Sequence, residues 1–165
     1  MNNVIFLDID GVLNSNFWND SHQKEISDGT LIDIEKIRLL SKLVKNTNAK
    51  IILHSGWRFW FNSKLEPTRK ESINLSRLLQ QEGIAIDGMT PDFSTEEIRK
   101  SKKFSLVKAS EILAWLSEHK EIDKWIVIDD LDLHNPEIEA HQIKTDSSIG
   151  LTIEDIQKAE KILLS

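Results

Sequence analysis

The chain has 165 residues, 39% of them hydrophobic and 29% charged, and its formal net charge is -6 at pH 7. This length and composition predict one globular domain over residues 1–165, able to bury well over half of the surface of its unfolded chain. The sequence contains no cysteine, which excludes disulfides, thiolate nucleophiles and zinc–thiolate sites. Any metal must therefore be bound by oxygen or histidine.

The acidic balance gives no general electrostatic reason to bind nucleic acid. A local basic cluster is still able to attract an anionic partner, and its members are Arg69, Lys70, Arg99, Lys100, Lys102 and Lys103. No basic segment followed by a long apolar stretch opens the chain, and no run reaches the roughly 18 apolar residues of a membrane span. We therefore expect a cytoplasmic protein with no membrane contact, and the oligomeric state stays open.

Two carboxylates directly follow the first predicted strand. The run Val4–Leu7 is rich in β-branched and aromatic residues, which predicts a buried strand, and Gly11 ends it in a tight turn. Asp8 and Asp10 share one side of this strand because side chains alternate along it. Two like charges about 5 Å apart repel by roughly 3 kcal/mol at an effective dielectric of about 20, so such a pair usually holds a cation.

The rest of the chain alternates helices and strands, which predicts right-handed parallel crossovers and an α/β fold. Residues 14–29 are mostly polar and predict a loop or small flap, and 87–103 predict a mobile connection with one helical turn. Helices are predicted over 31–44, from Thr68 to Gly83, from Phe104 or Ser105 onward, and from Thr152 onward. Strands are predicted at 49–54, 84–86, 125–128 and 141–144. Thr68 with Glu71 and Thr152 with Asp155 have the spacing of capping boxes.

Three predicted strands end in side chains suited to one site. These are Asp8 and Asp10 after the first strand, Ser55 and Gly56 after the second, and Asp129 and Asp130 after the fourth. Because the carboxyl ends of parallel strands meet at one edge of a sheet, we expect these groups to share a crevice. Acidic oxygens without cysteine favour a hard cation, and Mg²⁺ is the usual choice because it keeps waters that a phosphate can displace.

A phosphate ligand gives each group a role. A serine hydroxyl and a glycine N–H can bind phosphate oxygens, and Lys108 is the best candidate for the lysine that supplies positive charge. An aspartate beside Mg²⁺ can attack phosphorus, while a second carboxyl can protonate the leaving oxygen and then activate water. This chemistry predicts Asp8 as the nucleophile that forms an aspartyl-phosphate and Asp10 as the proton shuttle.

These residues resemble the haloacid dehalogenase (HAD) superfamily of phosphohydrolases. Its first motif, an apolar strand followed by D-x-D-x-(T or V)-(L or V), matches residues 4–13. Its second motif, an apolar strand ending in Ser or Thr, matches 51–55, and its fourth, a strand ending in paired acids, matches 126–130. Its third motif is a lysine or arginine before the fourth strand, for which Lys102 and Lys103 compete with Lys108.

The resemblance implies a three-layer, Rossmann-like α/β/α sandwich with a mainly parallel five-stranded sheet in the order 5-4-1-2-3. It implies that Mg²⁺ is held by Asp8, the backbone carbonyl of Asp10, and Asp129. It also implies that Ser55 binds the transferred phosphoryl group. Asp130 is a further candidate metal ligand, and Asp130 and Asp132 either orient metal waters or cap the following turn.

A narrower similarity points to a small HAD subgroup first noted beside RNA-repair enzymes. It rests on the stretch Ser55–Arg58, the paired acids, and the stretch Gly150–Thr152. Only about 45 residues separate Asp10 from Ser55, which leaves room for a small flap and no large cap after the first motif. An open site of this kind suggests bulky substrates such as polynucleotide ends, and small metabolites stay possible.

Several alternatives stay open at this stage. Arg58 either binds substrate or pairs with an acid, and the histidines lack ligand spacing, which predicts that they are solvated or hydrogen-bonded. An EF-hand is excluded because Leu13 and Asn19 stand where that loop needs glycine and glutamate. The alternative function is a metal- and phosphate-binding regulatory module that keeps the fold without turnover.

Overall fold

The computed structural model describes residues 2–23, 31–101 and 104–165. Its strands form one five-stranded parallel sheet in the order β3-β2-β1-β4-β5. The strands are β1 Asn3–Leu7, β2 Lys50–Leu53, β3 Ile86–Met89, β4 Lys124–Asp129 and β5 Gln142–Lys144. Counted from the other edge, this is the predicted order 5-4-1-2-3, and the predicted α/β class is confirmed.

Helices cover both faces of the sheet. They are α1 Asn16–Ser21, α2 Ile34–Thr47, α3 Lys70–Gln81, α4 Glu96–Ser101, α5 Ser105–Glu118, α6 Pro136–Glu139 and α7 Ile153–Leu163, with a 3-10 turn at Gly56–Trp60. Ile5 and Leu7 face the larger core cluster, to which α2, α3 and α7 contribute. Val4 and Phe6 face the opposite cluster, built mainly against α5. The two clusters exist because successive side chains of a buried strand point to opposite faces.

Four local predictions were wrong. The third strand is shifted to Ile86–Met89, beside a register irregularity between Ile51 and Ile52. Helix α4, of 6 residues, lies within the stretch predicted as a mobile connection with one helical turn and is longer than that turn. The helix predicted from residue 31 begins at Ile34, where the Asp33 carboxyl caps it by accepting the Glu35 N–H.

The fourth correction concerns the start of α3. Thr68 and Glu71 do not form its capping box, because the N-cap is Arg69 and Ser72 Oγ accepts the Arg69 N–H at 3.1 Å. The second predicted box is confirmed by reciprocal hydrogen bonds between Thr152 and Asp155.

Part of the predicted flap over 14–29 forms α1, while its residues 24–29 lie outside the described residues, as do Lys102 and Lys103 of the basic cluster. Among the residues described, no helix combines the length and the apolar character needed to cross a membrane.

Candidate active site

Strand register brings three side chains level at the carboxyl edge of the sheet. Leu7 pairs with Leu53 of β2 and with Ile128 of β4, so the residue that follows each of them lies at the same height. The Asp8 N–H donates to the Ile128 carbonyl, and the His54 N–H donates to the Leu7 carbonyl. By strand alternation, Asp8, His54 and Asp129 lie on the sheet face covered by α5.

Three carboxylates meet at this edge. One oxygen each from Asp8, Asp129 and Asp130 lies within 4.8 Å of the others, and we call this group the carboxylate cluster. Asp8 and Asp129 are buried, and Asp130 is partly buried. Burial, followed by the charge of Asp129, raises the pKa of Asp8 well above its ordinary value. The pKa of Asp130 is raised by burial and by its hydrogen bond and repulsion with Asp129. These carboxylates repel one another when all of them are ionised, and a hard divalent cation bound by their oxygens would offset that repulsion.

Lys108 is the positive charge that faces this cluster. It comes from the first half of α5, and its Nζ lies 2.9 Å from Asp129 Oδ2 and 3.6 Å from Asp8 Oδ1. Burial alone would lower the pKa of Lys108, but the carboxylates of Asp8 and Asp129 outweigh it and raise that pKa. Lys108 is therefore a fixed ammonium charge at the site.

His54 is a member of the site that the sequence reasoning did not assign. Its Nε2 lies 2.8 Å from Asp129 Oδ2, and its side chain is fully buried. Burial lowers the pKa of His54 against the opposing effect of Asp129. Because a carboxylate only accepts, we assign the proton of the neutral ring to Nε2. The expectation of a hydrogen-bonded histidine is confirmed at this position, and strand alternation was the signal that placed it beside Asp129.

Asp129 is held at both oxygens. Its Oδ1 accepts the Leu131 N–H at 2.9 Å, and its Oδ2 accepts from His54 and Lys108. Burial would raise the pKa of Asp129, but the hydrogen bond from His54, together with the charge of Lys108, holds it far below its usual range. Asp129 is thus the permanently ionised member of the carboxylate cluster.

Asp10 lies just beyond the cluster, exposed in the turn after β1. Asn14 Nδ2 donates to its Oδ1 at 3.0 Å, and Trp57 Nε1 donates to its Oδ2 at 3.2 Å. The carboxyl of Asp10 therefore points toward the same cavity without joining the three gathered acids. Its predicted metal contact is the backbone carbonyl, which stays a prediction.

Gly11 allows the turn to pass close to Asp130. Its φ is +80°, and a Cβ built on it would lie 2.7 Å from the carboxyl carbon of Asp130. The Thr145 hydroxyl donates to the Gly11 carbonyl at 2.8 Å, which ties the turn to the residue that follows β5. The glycine of the first motif is therefore required by both backbone conformation and the packing of a site carboxylate.

Ser55 begins the 3-10 turn at the end of β2. Its Oγ accepts the Trp57 N–H at 3.1 Å, so its hydroxyl proton stays free to donate to a ligand. The side chain is buried, and Gly56 beside it is exposed. Both residues border the same cavity as Asp8, consistent with the phosphate-binding roles predicted for them.

Arg58 points away from the carboxylate cluster. Its Nη2 pairs with Glu111 of α5 at 3.3 Å, and its Nη1 donates to Thr90 Oγ1 at 2.6 Å and to the Pro91 carbonyl at 2.7 Å. Of the two roles considered for Arg58, these contacts favour pairing with an acid. Its predicted contact with substrate stays untested.

A cavity of about 470 Å³ joins these groups. Its lining includes Asp8, Asp10, Ser55, Lys108 and Asp130 on the polar side. Aromatic and aliphatic side chains complete it, namely Trp57, Phe59, Trp60, Phe104, Val107 and Leu131. The site therefore combines an acidic floor, one ammonium group and apolar walls.

Comparison with known families agrees with this geometry. A family model described as the HAD domain in Swiss Army Knife RNA repair proteins matches residues 4–156, which include every residue of the site. The chain belongs to this HAD family. No curated protein and no solved structure matched the chain.

The predicted site of this HAD domain divides into two groups. Asp8, Lys108, Asp129 and Asp130 lie in direct contact or within the carboxylate cluster. Asp10, Ser55 and Gly56 border the cavity around them, and Arg58 lies in its wall. The structure adds His54, Trp57 and Glu111, whose partners are distant in sequence and gave no local pattern.

Proposed function

We propose that this HAD domain is a Mg²⁺-dependent phosphomonoester hydrolase that acts through an aspartyl-phosphate at Asp8. The observation that carries the proposal is the carboxylate cluster, with Lys108 Nζ 3.6 Å from Asp8 Oδ1, at one end of a cavity of about 470 Å³. Membership of a HAD family supports a phosphohydrolase-type reaction.

The residues present fit a divalent metal. The donors are all oxygens, and the raised pKa values of Asp8 and Asp130 mark a repulsion that a dication relieves. Asp8, Asp129 and Asp130 would hold Mg²⁺, together with the backbone carbonyl of Asp10. When bound, Mg²⁺ neutralises charge on the phosphoryl oxygens and on the carboxylates.

Asp8 performs the first step. One of its carboxylate oxygens attacks phosphorus, and the bond between phosphorus and the ester oxygen breaks. Lys108 and the Ser55 hydroxyl donate to the phosphoryl oxygens, which carry the charge that spreads in the transition state. His54 and the Leu131 N–H hold the Asp129 carboxylate in place. Asp129 therefore stays a fixed partner for Lys108 while Lys108 faces the phosphoryl group.

Asp10 handles the protons. Its carboxyl gives a proton to the leaving ester oxygen, and the resulting carboxylate then takes a proton from the water that attacks the aspartyl-phosphate. The second step releases inorganic phosphate and restores Asp8. Asp10 is exposed, and its contacts with Asn14 and Trp57 orient it toward the cavity.

The family description favours a phosphorylated nucleic-acid end as the substrate, because it names RNA repair proteins. The net charge of -6 argues that affinity for such an end comes from the site itself and not from a broad basic surface.

The test compares the hydrolysis of an aryl phosphate by the wild-type protein and Asp8→Asn. We expect Asp8→Asn to lose at least about 10³-fold in kcat because it lacks the attacking oxygen. The matched control is Asp132→Asn, since Asp132 is exposed and only accepts the His134 N–H and pairs with its ring. Equal rates for the wild type and Asp8→Asn would remove the nucleophile assignment.

One observation favours the alternative, a binding module without turnover. Asn14 Nδ2 and Trp57 Nε1 each donate to one oxygen of Asp10, and these bonds hold its carboxyl in the turn after β1, outside the carboxylate cluster. Calorimetry with a phosphate ester separates the two functions. Tight binding with no product over hours supports the module, and product formation supports the hydrolase.

A further inference from the structure

Three of the segments that supply polar groups to the site also expose an apolar side chain to the cavity. Phe59 follows Ser55 in the 3-10 turn, Phe104 lies one helical turn before Lys108, and Leu131 directly follows Asp130. These three side chains are 56%, 36% and 39% exposed. We call them the apolar rim. Exposed large apolar groups gathered around a polar centre are typical of a binding site.

The wall beside Phe59 offers aromatic faces and a positive charge. Trp60 stacks at a tilt on Trp57 with ring centroids 4.8 Å apart. The Arg69 guanidinium lies 5.4 Å from the Trp60 ring centre. A flat ring attached to a phosphate would therefore find apolar surface near the mouth of the cavity and an acidic, metal-binding floor within it.

We propose that the apolar rim holds the base of a phosphorylated nucleoside while its phosphate reaches Asp8 and Lys108. The inference deepens the proposed function and rests on it for the position of the phosphate. The rings of Phe59 and Phe104 carry no conventional hydrogen-bonding group for the hydroxyls of a bare sugar phosphate, whereas every base has a π-face that stacks on an aromatic side chain. The family description independently names RNA repair proteins.

The experiment uses two esters that share the phosphate and the 5′ carbon, adenosine 5′-monophosphate and ribose 5-phosphate. Binding is measured by calorimetry with Mg²⁺ on Asp10→Asn, which lacks the proton shuttle but keeps Asp8 and the other carboxylates proposed to hold the metal, and kcat/KM is measured on the wild type. We expect a preference of at least about tenfold for the nucleotide, the scale of one stacked base. Equal values for the two esters, or neither binding nor turnover of either, would overturn the inference.

Variants identify the surface responsible. Phe59→Leu keeps apolar volume without an aromatic face and should lose most of the preference, whereas Phe59→Trp should retain it. Phe104→Leu should also reduce it. The control is Phe17→Leu, since Phe17 is 77% exposed on α1 and does not line the cavity. A preference that survives both rim leucine variants would overturn the assignment of these residues.

The two proposals fail in different ways. Preferential nucleotide binding without turnover supports the rim and contradicts the hydrolase, whereas turnover of both esters at equal kcat/KM does the reverse. The third ligand in the binding experiment is a single-stranded oligonucleotide with a 5′-phosphate. Binding tighter than the mononucleotide indicates a chain end as the source of the base, equal binding indicates a free nucleotide, and both results support the rim.

A separate observation concerns His54. It is fully buried, its Nε2 lies 2.8 Å from Asp129 Oδ2, and its Nδ1 has no hydrogen-bond partner among the described residues. The ring therefore makes one directed polar contact, on a carboxylate of the metal-binding cluster. Lys108 shares the same oxygen but has a long, flexible side chain that also faces Asp8.

We infer that His54 is a positioning residue, whose Nε2–H fixes the Asp129 carboxylate toward Asp8 and Asp130. Partners of metal ligands that hold orientation in this way typically change metal affinity about 10- to 100-fold when removed. The readout is Mg²⁺ binding by calorimetry, which does not require turnover.

The test compares His54→Gln, which carries an N–H donor near the position of Nε2, with His54→Leu, which has none. We expect His54→Leu to weaken Mg²⁺ binding at least about tenfold and His54→Gln to stay within about threefold of the wild type. If His54→Leu does not fold, His54→Asn serves in its place, because its shorter amide cannot reach Asp129. Unchanged Mg²⁺ affinity without the donor, or equal losses in both variants, would overturn the inference.

Discussion

Two charged groups of residues border the same cavity and differ in how their charges are balanced. The carboxylate cluster gathers three acids around one ammonium group, Lys108. The other group, which we call the arginine clamp, centres on Arg58, whose Nε donates to the Ser55 carbonyl while its other nitrogens reach Glu111, Thr90 and Pro91. The first group has excess negative charge, and the second is a paired network.

The difference distinguishes charges that stay unbalanced within the protein from charges that are paired within it. In the arginine clamp, Glu111 also accepts the Phe93 N–H at 2.8 Å, so both partners of the ion pair use their remaining bonding capacity inside the protein. Such a network joins α5 to the connection that follows β3, and it leaves few hydrogen-bonding groups with which a ligand could interact. In the carboxylate cluster, burial and repulsion raise the pKa of Asp8 and Lys108 offsets them only in part, so a proton or an added cation is still favoured.

The largest expected stability effect is in the arginine clamp. Arg58→Met leaves Glu111 buried without its cation and should lower the free energy of unfolding by about 3 kcal/mol. Urea denaturation without Mg²⁺ measures it. Arg77→Met is the control, because Arg77 is exposed and bonds only to Asn74. Adding Glu111→Leu to Arg58→Met should recover part of the loss, and a loss that instead doubles would contradict the pairing.

The next effect tests the packing between Gly11 and Asp130. Gly11→Ala combines a φ of +80° with a Cβ 2.7 Å from the Asp130 carboxyl carbon, and it should cost about 2–3 kcal/mol. Gly83→Ala matches the backbone strain, with φ +77° but only Lys45 side-chain atoms at 3.4 Å, and should cost about 1 kcal/mol.

The two glycine variants should also differ in their affinity for Mg²⁺. Gly11→Ala should also weaken Mg²⁺ binding, because Asp130 must move, while Gly83→Ala should leave Mg²⁺ affinity unchanged. Calorimetry on both variants measures this difference. Equal Mg²⁺ affinities would mean that Asp130 is not needed to hold the ion.

The carboxylate cluster was more predictable from sequence than the arginine clamp. Asp8 and Asp129 directly follow apolar runs, and parallel strands in register bring such positions together whatever the loops do. The contacts of Arg58 with Glu111 and of His54 with Asp129 join residues 53 and 75 positions apart and depend on side-chain direction. The sequence allowed an acid partner for Arg58 but held no signal that selected Glu111.

The misplaced boundaries have similar causes. The third strand was displaced by a register irregularity beside Ile51 and Ile52, which no apolar pattern encodes. At the start of α3, the pattern of Thr68 with Glu71 overlaps the pattern of Arg69 with Ser72. The hydrogen bond from Ser72 Oγ to the Trp60 carbonyl favours the second pattern, which begins one residue later. The family and strand order are confirmed, whereas the roles of individual site residues stay predictions until variants are measured.

A smaller effect of opposite sign is expected in the carboxylate cluster. Asp8→Asn should raise the free energy of unfolding without Mg²⁺ by about 1 kcal/mol, because relief from burial and from Asp129 outweighs the lost attraction to Lys108. It should also remove most of the stabilisation that Mg²⁺ gives the wild type. Thermal unfolding with and without Mg²⁺ measures both, and Asp132→Asn should change neither. If Asp8→Asn were less stable than the wild type, the charge of Asp8 would be balanced within the protein, as the charges of the arginine clamp are.

The most gradual effect is the pH dependence of Mg²⁺ stabilisation. The pKa of Asp8 is raised in the folded protein, so below it the folded state binds a proton that the unfolded state does not. Stability without Mg²⁺ should therefore gain a favourable contribution from Asp8 as pH falls through that raised pKa, until the unfolded carboxyl also protonates.

Mg²⁺ competes with the same proton, so the Tm increase that it causes should shrink over the same interval. Asp130, whose pKa is also raised, contributes in the same direction, whereas the pKa of Asp129 is depressed and its contribution is lost only at lower pH. Tm measured from neutral to acidic pH should show the two curves converging for the wild type and converging less for Asp8→Asn, and parallel wild-type curves would mean that protons and Mg²⁺ do not share this site.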